Sequence, residues 1–236
     1  MKFHDLAILI QSRMGSKRFP GKSMVHIGEY SLLEHLLIGL KQYFSVSNIY
    51  VLTSNLSENK PIINCCKKLK INYVLGNENN VASRYYEFLK QNKRFDLFFR
   101  ICGDSPFFDT ELILKSYEEM KSSKRKLDFI TSLPNKGNPQ GQNIELFNKD
   151  VFLSNYKNFK NNNHFEHVTS FFYQNINQFN YKFSSTKFKQ YNYERCKFSI
   201  DIKSDLIFMT QLHNLMNKKP YLYNLEELLD LAYKIK

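Results

Sequence analysis

Several features that would assign a function directly are missing from this chain of 236 residues. No apolar run approaches the roughly 20 residues that a membrane-spanning helix needs, and no signal peptide precedes Leu6, so we expect a cytoplasmic protein with no membrane partner. The four cysteines are Cys65, Cys66, Cys102 and Cys196. They show neither CxxC nor Cys/His spacing, which argues against a zinc site and fits a reducing compartment.

The common nucleotide-binding signatures are also missing. Gly15 and Gly21 lie six positions apart, so Lys22 and Ser23 do not complete the P-loop spacing G-x-x-x-x-G-K-[ST]. The dinucleotide pattern G-x-G-x-x-G does not occur either. Any nucleotide site in this chain must therefore be built in another way.

The composition favours an anionic partner for a folded α/β protein. Hydrophobic residues make up 42% of the chain and aromatic residues 15%, which is enough to bury the core of one large domain, 1–236. The net charge of +12 suits nucleic acid, acidic membranes or phosphorylated small molecules. Because the lysines are spread over every segment instead of forming one tail, nucleic acid is the less favoured partner.

The first half alternates strand-length apolar runs with segments of helical period, which predicts a mostly parallel sheet covered by helices. Strands are expected near 6–11, 49–53, 71–75, 97–101 and 128–133. The capping box that begins at Ser31 predicts a helix to about Tyr43, Pro61 fits the first turn of a second helix, a third follows Asn80, and a fourth spans about 110–122. After about residue 134 we expect a strand near 143–147, helical stretches, and a strand that ends at Ile200-Asp201.

The most informative segment follows the first strand. The loop from Ser12 to Lys22 contains two glycines and a proline, so its backbone N–H groups can point inward. Its fixed cations are Arg13, Lys17, Arg18 and Lys22. Inward N–H groups and cations together favour a polyphosphate, so we interpret the loop as a nucleoside-triphosphate site, with a solvated basic loop as the plain alternative.

Two carboxylates are expected at the same edge of the sheet. Asp104 follows a buried strand and Gly103, and Asp201 follows a later predicted strand. The carboxyl ends of parallel strands meet at one edge, where ligands bind in open α/β sheets. Carboxylates suit Mg²⁺, which usually takes one or two protein oxygens. We therefore expect a magnesium site, while a turn-capping role for Asp104 remains open.

Other polar residues allow more than one role. The loop from Gly76 leads into a helix whose first turn carries Ser83 and Arg84, where a base or a phosphate could bind, although Arg84 could equally make a structural salt bridge. In the second half the candidates for an acceptor site are Gln142, Glu145, Glu166 and His167. A Glu-His pair is also common as an ordinary polar contact.

Taken together, these segments resemble the cytidylyltransferases of the spore-coat polysaccharide biosynthesis type, which are related to the synthetases of CMP-activated acidic sugars. The motifs that carry the resemblance occur in order along nearly the whole chain: 10–22, 32–35, 76–86, 100–109, 144–147, 166–169 and 199–201. Ser12 stands where the family commonly has alanine and Phe19 where it has leucine. Gln142-Asn143 replaces the usual Leu-Asp, which puts the identity of the acceptor in doubt.

The resemblance implies a three-layer α/β/α nucleotidyltransferase fold with a Rossmann-like sheet, CTP and a small-molecule acceptor as partners, Mg²⁺ as cofactor, and a possible homodimer. It divides the chain into a nucleotide-binding half (1–133) and an acceptor-binding, metal-completing half (134–236). It assigns Arg13, Lys22 and Asp104 to catalysis and Asp104 with Asp201 to the metal. The implied nucleotide-binding residues are Gln11, Ser12, Arg13, Met14, Gly15, Ser16, Lys17, Arg18, Lys22, Ser83, Arg84 and Asp104.

The expected reaction is attack by an acceptor oxygen on the α-phosphorus of CTP with release of pyrophosphate. A glycosyltransferase that consumes a nucleotide sugar is one alternative, but such enzymes commonly bind metal through D-x-D, which this sequence lacks. A basic nucleic-acid-binding protein is the other alternative, and it would show strongly salt-dependent affinity without preference for CTP.

Overall fold

A computed structural model describes residues 3–134, 137–186, 188 and 190–235 of the chain. Its first part contains, in chain order, β1 (Leu6–Gln11), β2 (His26–Ile27), β3 (Tyr30–Ser31), α1 (Leu32–Tyr43), β4 (Ile49–Ser54), α2 (Lys60–Leu69), β5 (Asn72–Gly76), α3 (Val81–Gln91), β6 (Leu97–Cys102), α4 (Glu111–Ser122) and β7 (Phe129–Thr131). The second part contains β8 (Glu145–Asn148), α5 (Lys149–Asn155), α6 (Asn162–Glu166), α7 (Ser170–Gln174), β9 (Tyr181–Phe183), α8 (Lys203–Leu215) and α9 (Leu225–Ala232).

Local sequence signals explain where the first helices begin. Ser31 Oγ accepts a hydrogen bond from the Glu34 amide at 3.3 Å, and the Glu34 carboxylate accepts from the Ser31 amide at 2.8 Å, so the predicted capping box is present. Pro61 lies in the first turn of α2, where its missing N–H costs no helical hydrogen bond. Asn80 caps α3 by accepting from the Ser83 amide at 2.8 Å.

Seven strands form one sheet in the order β5-β4-β1-β6-β8-β7-β9. The strands from β5 to β6 are parallel, with β1 between β4 and β6, and β8 runs antiparallel to both of its neighbours. This arrangement confirms the predicted mostly parallel sheet. It also brings the carboxyl ends of β1 and β6 side by side, with Gln11 opposite Cys102.

Helices cover both faces of the sheet, which gives the three layers expected from the sequence. Along β1, Ile8 and Ile10 belong to one buried cluster and Ala7 and Leu9 to the other, as the alternation of a strand requires. Residues of α1, α2, α4, α8 and α9 contribute to the first cluster, and residues of α3, α5 and α7 to the second.

The prediction of a strand that ends at Ile200-Asp201 is wrong. The segment around it makes a single bridge, between Gln140 and Lys197, and is otherwise held by loop contacts. A Cβ on Gly141, whose φ is +93°, would lie 2.4 Å from the carbonyl carbon of Phe198. The Phe198 amide donates to the Gln140 carbonyl at 2.7 Å, whereas the Ile200 amide donates to the Asp104 carbonyl at 3.0 Å, so the segment does not pair regularly with one neighbouring strand.

Within the described residues, no helix combines the length and the apolar character needed to cross a bilayer.

Candidate active site

One cavity of about 610 Å³ opens at the carboxyl ends of β1 and β6. Many of the residues predicted from the sequence line it: Gln11, Ser12, Arg13, Ser16, Lys17, Arg18, Lys22, Arg84, Asp104, Glu145, Glu166, His167 and Asp201. Residues from both halves of the chain therefore meet at one edge of the sheet, as the topology of a parallel sheet predicts.

The basic loop after β1 folds back on itself. The Met14 carbonyl accepts hydrogen bonds from the Ser16 amide at 2.9 Å and from the Gly21 amide at 2.8 Å. Gly21 has φ of +73°, a conformation that favours glycine, and it directly precedes the 3₁₀ turn that starts at Lys22. This closed loop directs the Lys22 side chain towards the two aspartates.

Lys22 lies at the centre of three oxygen atoms. Its Nζ donates to Asp104 Oδ2 at 2.6 Å, to the Ile200 carbonyl at 2.7 Å and to Asp201 Oδ1 at 2.9 Å. We call these four residues the Lys22 centre. Burial alone would lower the pKa of Lys22, but the charge and hydrogen bond of Asp104, followed by those of Asp201, raise it. The ammonium is therefore firmly charged.

Asp201 is surrounded by further donors. Arg18 Nη2 contacts its Oδ1 at 2.9 Å, while Lys197 Nζ at 3.1 Å and Gln140 Nε2 at 3.2 Å contact its Oδ2. Burial acts to raise the pKa of Asp201, but the hydrogen bonds and charges of Lys22 and Lys197 outweigh it and lower that pKa to about 2. Asp201 is therefore a carboxylate at all ordinary pH values.

Arg13 is held by carboxylates on both sides of the cavity mouth. Its Nη2 donates to Glu166 Oε1 at 2.7 Å, and its Nη1 lies 3.6 Å from Glu78 Oε1. Glu166 ends α6 in the second half of the chain, whereas Glu78 follows β5 in the first. Glu166 is 43% exposed, so this ion pair lies in a solvated part of the site.

The Arg84 side chain is buried and bound to backbone carbonyls. Its Nε donates to the Asn77 carbonyl at 2.7 Å and its Nη2 to the Glu78 carbonyl at 2.9 Å. Burial lowers the pKa of Arg84 against the opposing charge of Glu78. Arg84 thus fixes the 77–78 loop at the cavity wall, and its Nη2 also lies 3.9 Å from Glu78 Oε2, which is a structural ion pair.

A buried polar network that the sequence analysis did not identify lies beneath the cavity. Arg100 on β6 forms an ion pair with Glu145 on β8, and its Nε donates to Gln11 Oε1 at 3.1 Å. Glu145 Oε1 also accepts from Thr169 Oγ1 at 2.6 Å and from the Tyr173 hydroxyl at 2.8 Å. These five residues form what we call the Arg100 network.

The feature of the sequence that could have revealed this network is Arg100, a charged residue within the otherwise apolar strand 97–102. Burial acts most strongly on Arg100 and would lower its pKa, but the charge of Glu145 and smaller contributions from Cys102, Tyr85 and Tyr173 together raise that pKa well above its ordinary value. Both oxygens of Glu145 have protein partners, so this carboxylate holds Arg100 and the α7 segment in place. Because Gln11 Oε1 accepts the hydrogen bond from Arg100, the side-chain Nε2 of Gln11 points away from Arg100.

Four predicted contact residues lie outside the lining of the large cavity. Gln142 is fully buried: its Oε1 accepts from the Asp109 amide at 2.9 Å and its Nε2 donates to the Phe107 carbonyl at 2.8 Å. Ser83 Oγ donates to the Asn80 carbonyl within the cap of α3. The Met14 side chain packs against the core, and Gly15 lines a neighbouring cavity of about 500 Å³. Both amide atoms of Gln142 are therefore bound inside the protein, outside the lining of the cavity where an acceptor contact was predicted.

The oxygens of the Lys22 centre fit a small divalent cation. Two carboxylates and a carbonyl converge within 3 Å of one point, which Lys22 Nζ occupies as a cation. Mg²⁺ prefers oxygen ligands and takes the rest of its shell from phosphates and water. Among the described residues, no three His, Cys, Asp or Glu side chains are grouped to hold a metal.

Comparisons with known proteins give a consistent family. A family model described as cytidylyltransferase matches residues 7–231. An uncharacterized protein of Methanocaldococcus jannaschii is 34% identical over 171 residues, which cover 72% of this chain and 68% of that protein. A 3-deoxy-manno-octulosonate cytidylyltransferase of Rickettsia bellii is 33% identical over 136 residues, covering 56% of this chain and 53% of the enzyme. The match thus spans about half of that enzyme's length.

Solved structures support the fold. A cytidylyltransferase from Leptospira borgpetersenii superposes with a TM-score of 0.89 at 22% identity, covering 98% of this chain and 94% of that one. A CMP:2-keto-3-deoxy-manno-octonic acid synthetase complexed with CTP gives a TM-score of 0.64 at 14% identity, covering 89% and 98% of the two chains. At these identities the likeness establishes a shared architecture, which confirms the predicted nucleotidyltransferase fold.

Proposed function

This chain belongs to the cytidylyltransferase family, and we propose that it transfers CMP from CTP to an acceptor with release of pyrophosphate. The acceptor would be an acidic sugar or a phosphorylated metabolite, in surface polysaccharide or glycoconjugate biosynthesis. The observation that carries the proposal is the convergence of Arg13, Lys22, Asp104 and Asp201 in one cavity.

The basic loop would bind the triphosphate. Arg13, Lys17, Arg18 and Lys22 line the same cavity and supply four positive charges. Pyrophosphate gains negative charge as it leaves, and fixed cations stabilise that charge in a partly enclosed site. In the reaction, a bond forms between the acceptor oxygen and the α-phosphorus, and the bond from that phosphorus to the oxygen of pyrophosphate breaks.

Asp104 and Asp201 would hold Mg²⁺, because their oxygens point at one position and Asp201 is a carboxylate at neutral pH. The metal would supply a positive charge that stabilises the negative charge on the phosphate oxygens. Lys22, Arg18 and Lys197 contact Asp201 and orient its carboxylate.

The acceptor would enter from the side of α6. Glu166 and His167 line the cavity there, and we propose that they contact the acceptor. Glu145 lines the same cavity and is fixed in place by the Arg100 network. A cytoplasmic location and a homodimer remain predictions from the sequence and the family resemblance.

A nucleotide panel tests the proposal. Thermal unfolding is measured with each of the four nucleoside triphosphates, with and without Mg²⁺, and pyrophosphate release is then followed with CTP and a panel of acidic sugars and sugar phosphates. We expect selective stabilisation by CTP with Mg²⁺, and turnover with one acceptor class. If none of the four nucleotides raises the unfolding temperature, or if the protein binds RNA with an affinity that falls steeply with salt, the nucleic-acid-binding alternative is favoured.

A further inference from the structure

Most cations of the basic loop are paired with carboxylates of the chain itself. Arg13 contacts Glu166 at 2.7 Å, Arg18 contacts Asp201 at 2.9 Å, and Lys22 lies between Asp104 and Asp201. Lys17 also lines the cavity and is exposed, and no ion pair or hydrogen bond joins its side chain to another described residue. The loop therefore contains both engaged and free positive charges.

Lys22 differs from the other engaged cations because of where its ammonium lies. Arg18 is 67% exposed and contacts Asp201 from the solvent side, whereas Lys22 is 12% exposed and lies between the two aspartates. Its Nζ is 2.6 to 2.9 Å from three oxygens. A magnesium ion at the point where these three oxygens converge would bind them at about 2.0–2.1 Å. The ammonium and a divalent cation therefore cannot occupy this centre together.

A polyphosphate is the ligand that can remove Lys22 from this position. The lysine follows Gly21 on a loop and has a long flexible side chain, so its ammonium can turn towards phosphates in the adjoining cavity. There it would exchange two carboxylates for phosphate oxygens and remain paired throughout. The aspartates, left without their central cation, would then attract a metal strongly.

We propose that Lys22 is the resident cation of this centre and determines the order of binding, so that Asp104 and Asp201 take a divalent cation only when a polyphosphate draws Lys22 away. The inference rests on the proposed function in that it assumes a polyphosphate substrate, but it does not depend on the base or on the acceptor. It requires that metal and polyphosphate strengthen each other's binding by the same factor.

The first test measures Mn²⁺ alone by electron paramagnetic resonance, without nucleotide. We expect weak binding to the wild-type protein and binding tighter by at least about tenfold in Lys22→Met, because the substitution removes the competing ammonium. Lys17→Met is the matched control, since it removes one positive charge from the same cavity without emptying the centre, and its affinity should stay within about threefold of wild type. Equal tightening in both variants, or none in Lys22→Met, would overturn the proposal.

The second test changes an aspartate partner of Lys22 and measures polyphosphate binding. It also covers the case in which Lys22→Met does not fold. Binding of inorganic triphosphate is measured by calorimetry in EDTA, with Asp104→Asn expected to bind at least about fivefold more tightly than wild type because Lys22 is released. Glu58→Gln, which removes a carboxylate beside the same loop, is the control and should change affinity by less than about twofold. An Asp104→Asn affinity no tighter than that of Glu58→Gln contradicts the proposal.

These outcomes separate the inference from the proposed function. If Lys22→Met binds Mn²⁺ more tightly but the wild-type protein does not turn over CTP, the proposal for Lys22 stands and the cytidylyltransferase activity is rejected. If the wild-type protein turns over CTP but Lys22→Met binds Mn²⁺ no more tightly than wild type, the activity stands and the proposal for Lys22 is rejected.

Discussion

Two charged clusters face the same cavity and are built in opposite ways. The Lys22 centre lies on loops, where its ammonium is shared between two aspartates from different segments. The Arg100 network lies on β6 and β8, where one arginine is paired with one glutamate that is 4% exposed. The first can exchange partners when a ligand arrives, whereas the second is fixed by the sheet.

The difference follows from the solvent and the backbone around each cluster. Lys22 has 12% of its side chain exposed and borders an open cavity, so phosphate oxygens can replace its carboxylate partners. Arg100 and Glu145 are held by hydrogen bonds to Gln11, Thr169 and Tyr173, and losing one partner leaves a buried charge without compensation. Substitutions in the first cluster should therefore change chemistry, and substitutions in the second should change stability.

The largest expected effect is on turnover in the Lys22 centre. Asp104→Asn removes one of the two carboxylates without changing the size of the side chain, and we expect the rate of pyrophosphate release to fall about 10³-fold, equivalent to about 4 kcal/mol of transition-state stabilisation. Asp150→Asn makes the same change on the exposed start of α5 and should leave the rate unaltered. A normal rate in Asp104→Asn with an intact fold would refute the assignment of Asp104.

The Arg100 network should respond in stability first. Glu145→Ala leaves the guanidinium of Arg100 buried without its partner, so we expect the free energy of unfolding to drop by about 3–5 kcal/mol in urea denaturation. The double variant Arg100→Met/Glu145→Leu removes both charges and should recover most of that loss. If the double variant were as unstable as the single one, the pair would not be coupled in the way the contacts indicate.

The cavity mouth should show a smaller effect. Glu166→Gln weakens the solvated ion pair that holds Arg13, which should cost less than about 1 kcal/mol of stability. The freed Arg13 should bind the triphosphate up to about fivefold more tightly, as that energy difference allows. Calorimetry with CTP and Mg²⁺ in the absence of acceptor checks this, and weaker CTP binding in the variant would show that Glu166 supports the nucleotide site instead of competing for Arg13.

The sequence predicts much of the fold because its strands and helix starts are local signals. Apolar runs of strand length, the box at Ser31 and the cap at Asn80 each act within a few residues, and the structure has a helix or strand at each of them. The segment ending at Asp201 was predicted wrongly because its backbone bonds to two separate, distant segments, Phe198 to Gln140 and Ile200 to Asp104, which no local pattern reveals.

The candidate site divides in the same way. The topology of a parallel sheet was enough to expect Arg13 and Asp104 at one edge, since each follows a strand. Side-chain burial was not predictable: Gln142 stands in a polar loop segment like any exposed glutamine, but its amide atoms bind two backbone groups inside the protein. Arg100 was overlooked because its partner Glu145 is 45 residues away in the chain.

The smallest effect concerns pH and distinguishes the Lys22 centre from an ordinary surface cluster. Since the folded pKa of Asp201 is about 2, below its ordinary value of 3.8, the carboxylate contributes stability that is fully present above about pH 4 and is lost as the pH falls towards 2. The difference in unfolding free energy between wild type and Asp201→Asn should therefore be constant from pH 7 to pH 5 and shrink below pH 4. Urea denaturation at a series of pH values measures it, with Asp150→Asn as the control. A difference that does not change between pH 5 and pH 3 would mean that Lys22 and Lys197 do not lower this pKa, and the Lys22 centre would then be no more strongly paired than the solvated contacts at the cavity mouth.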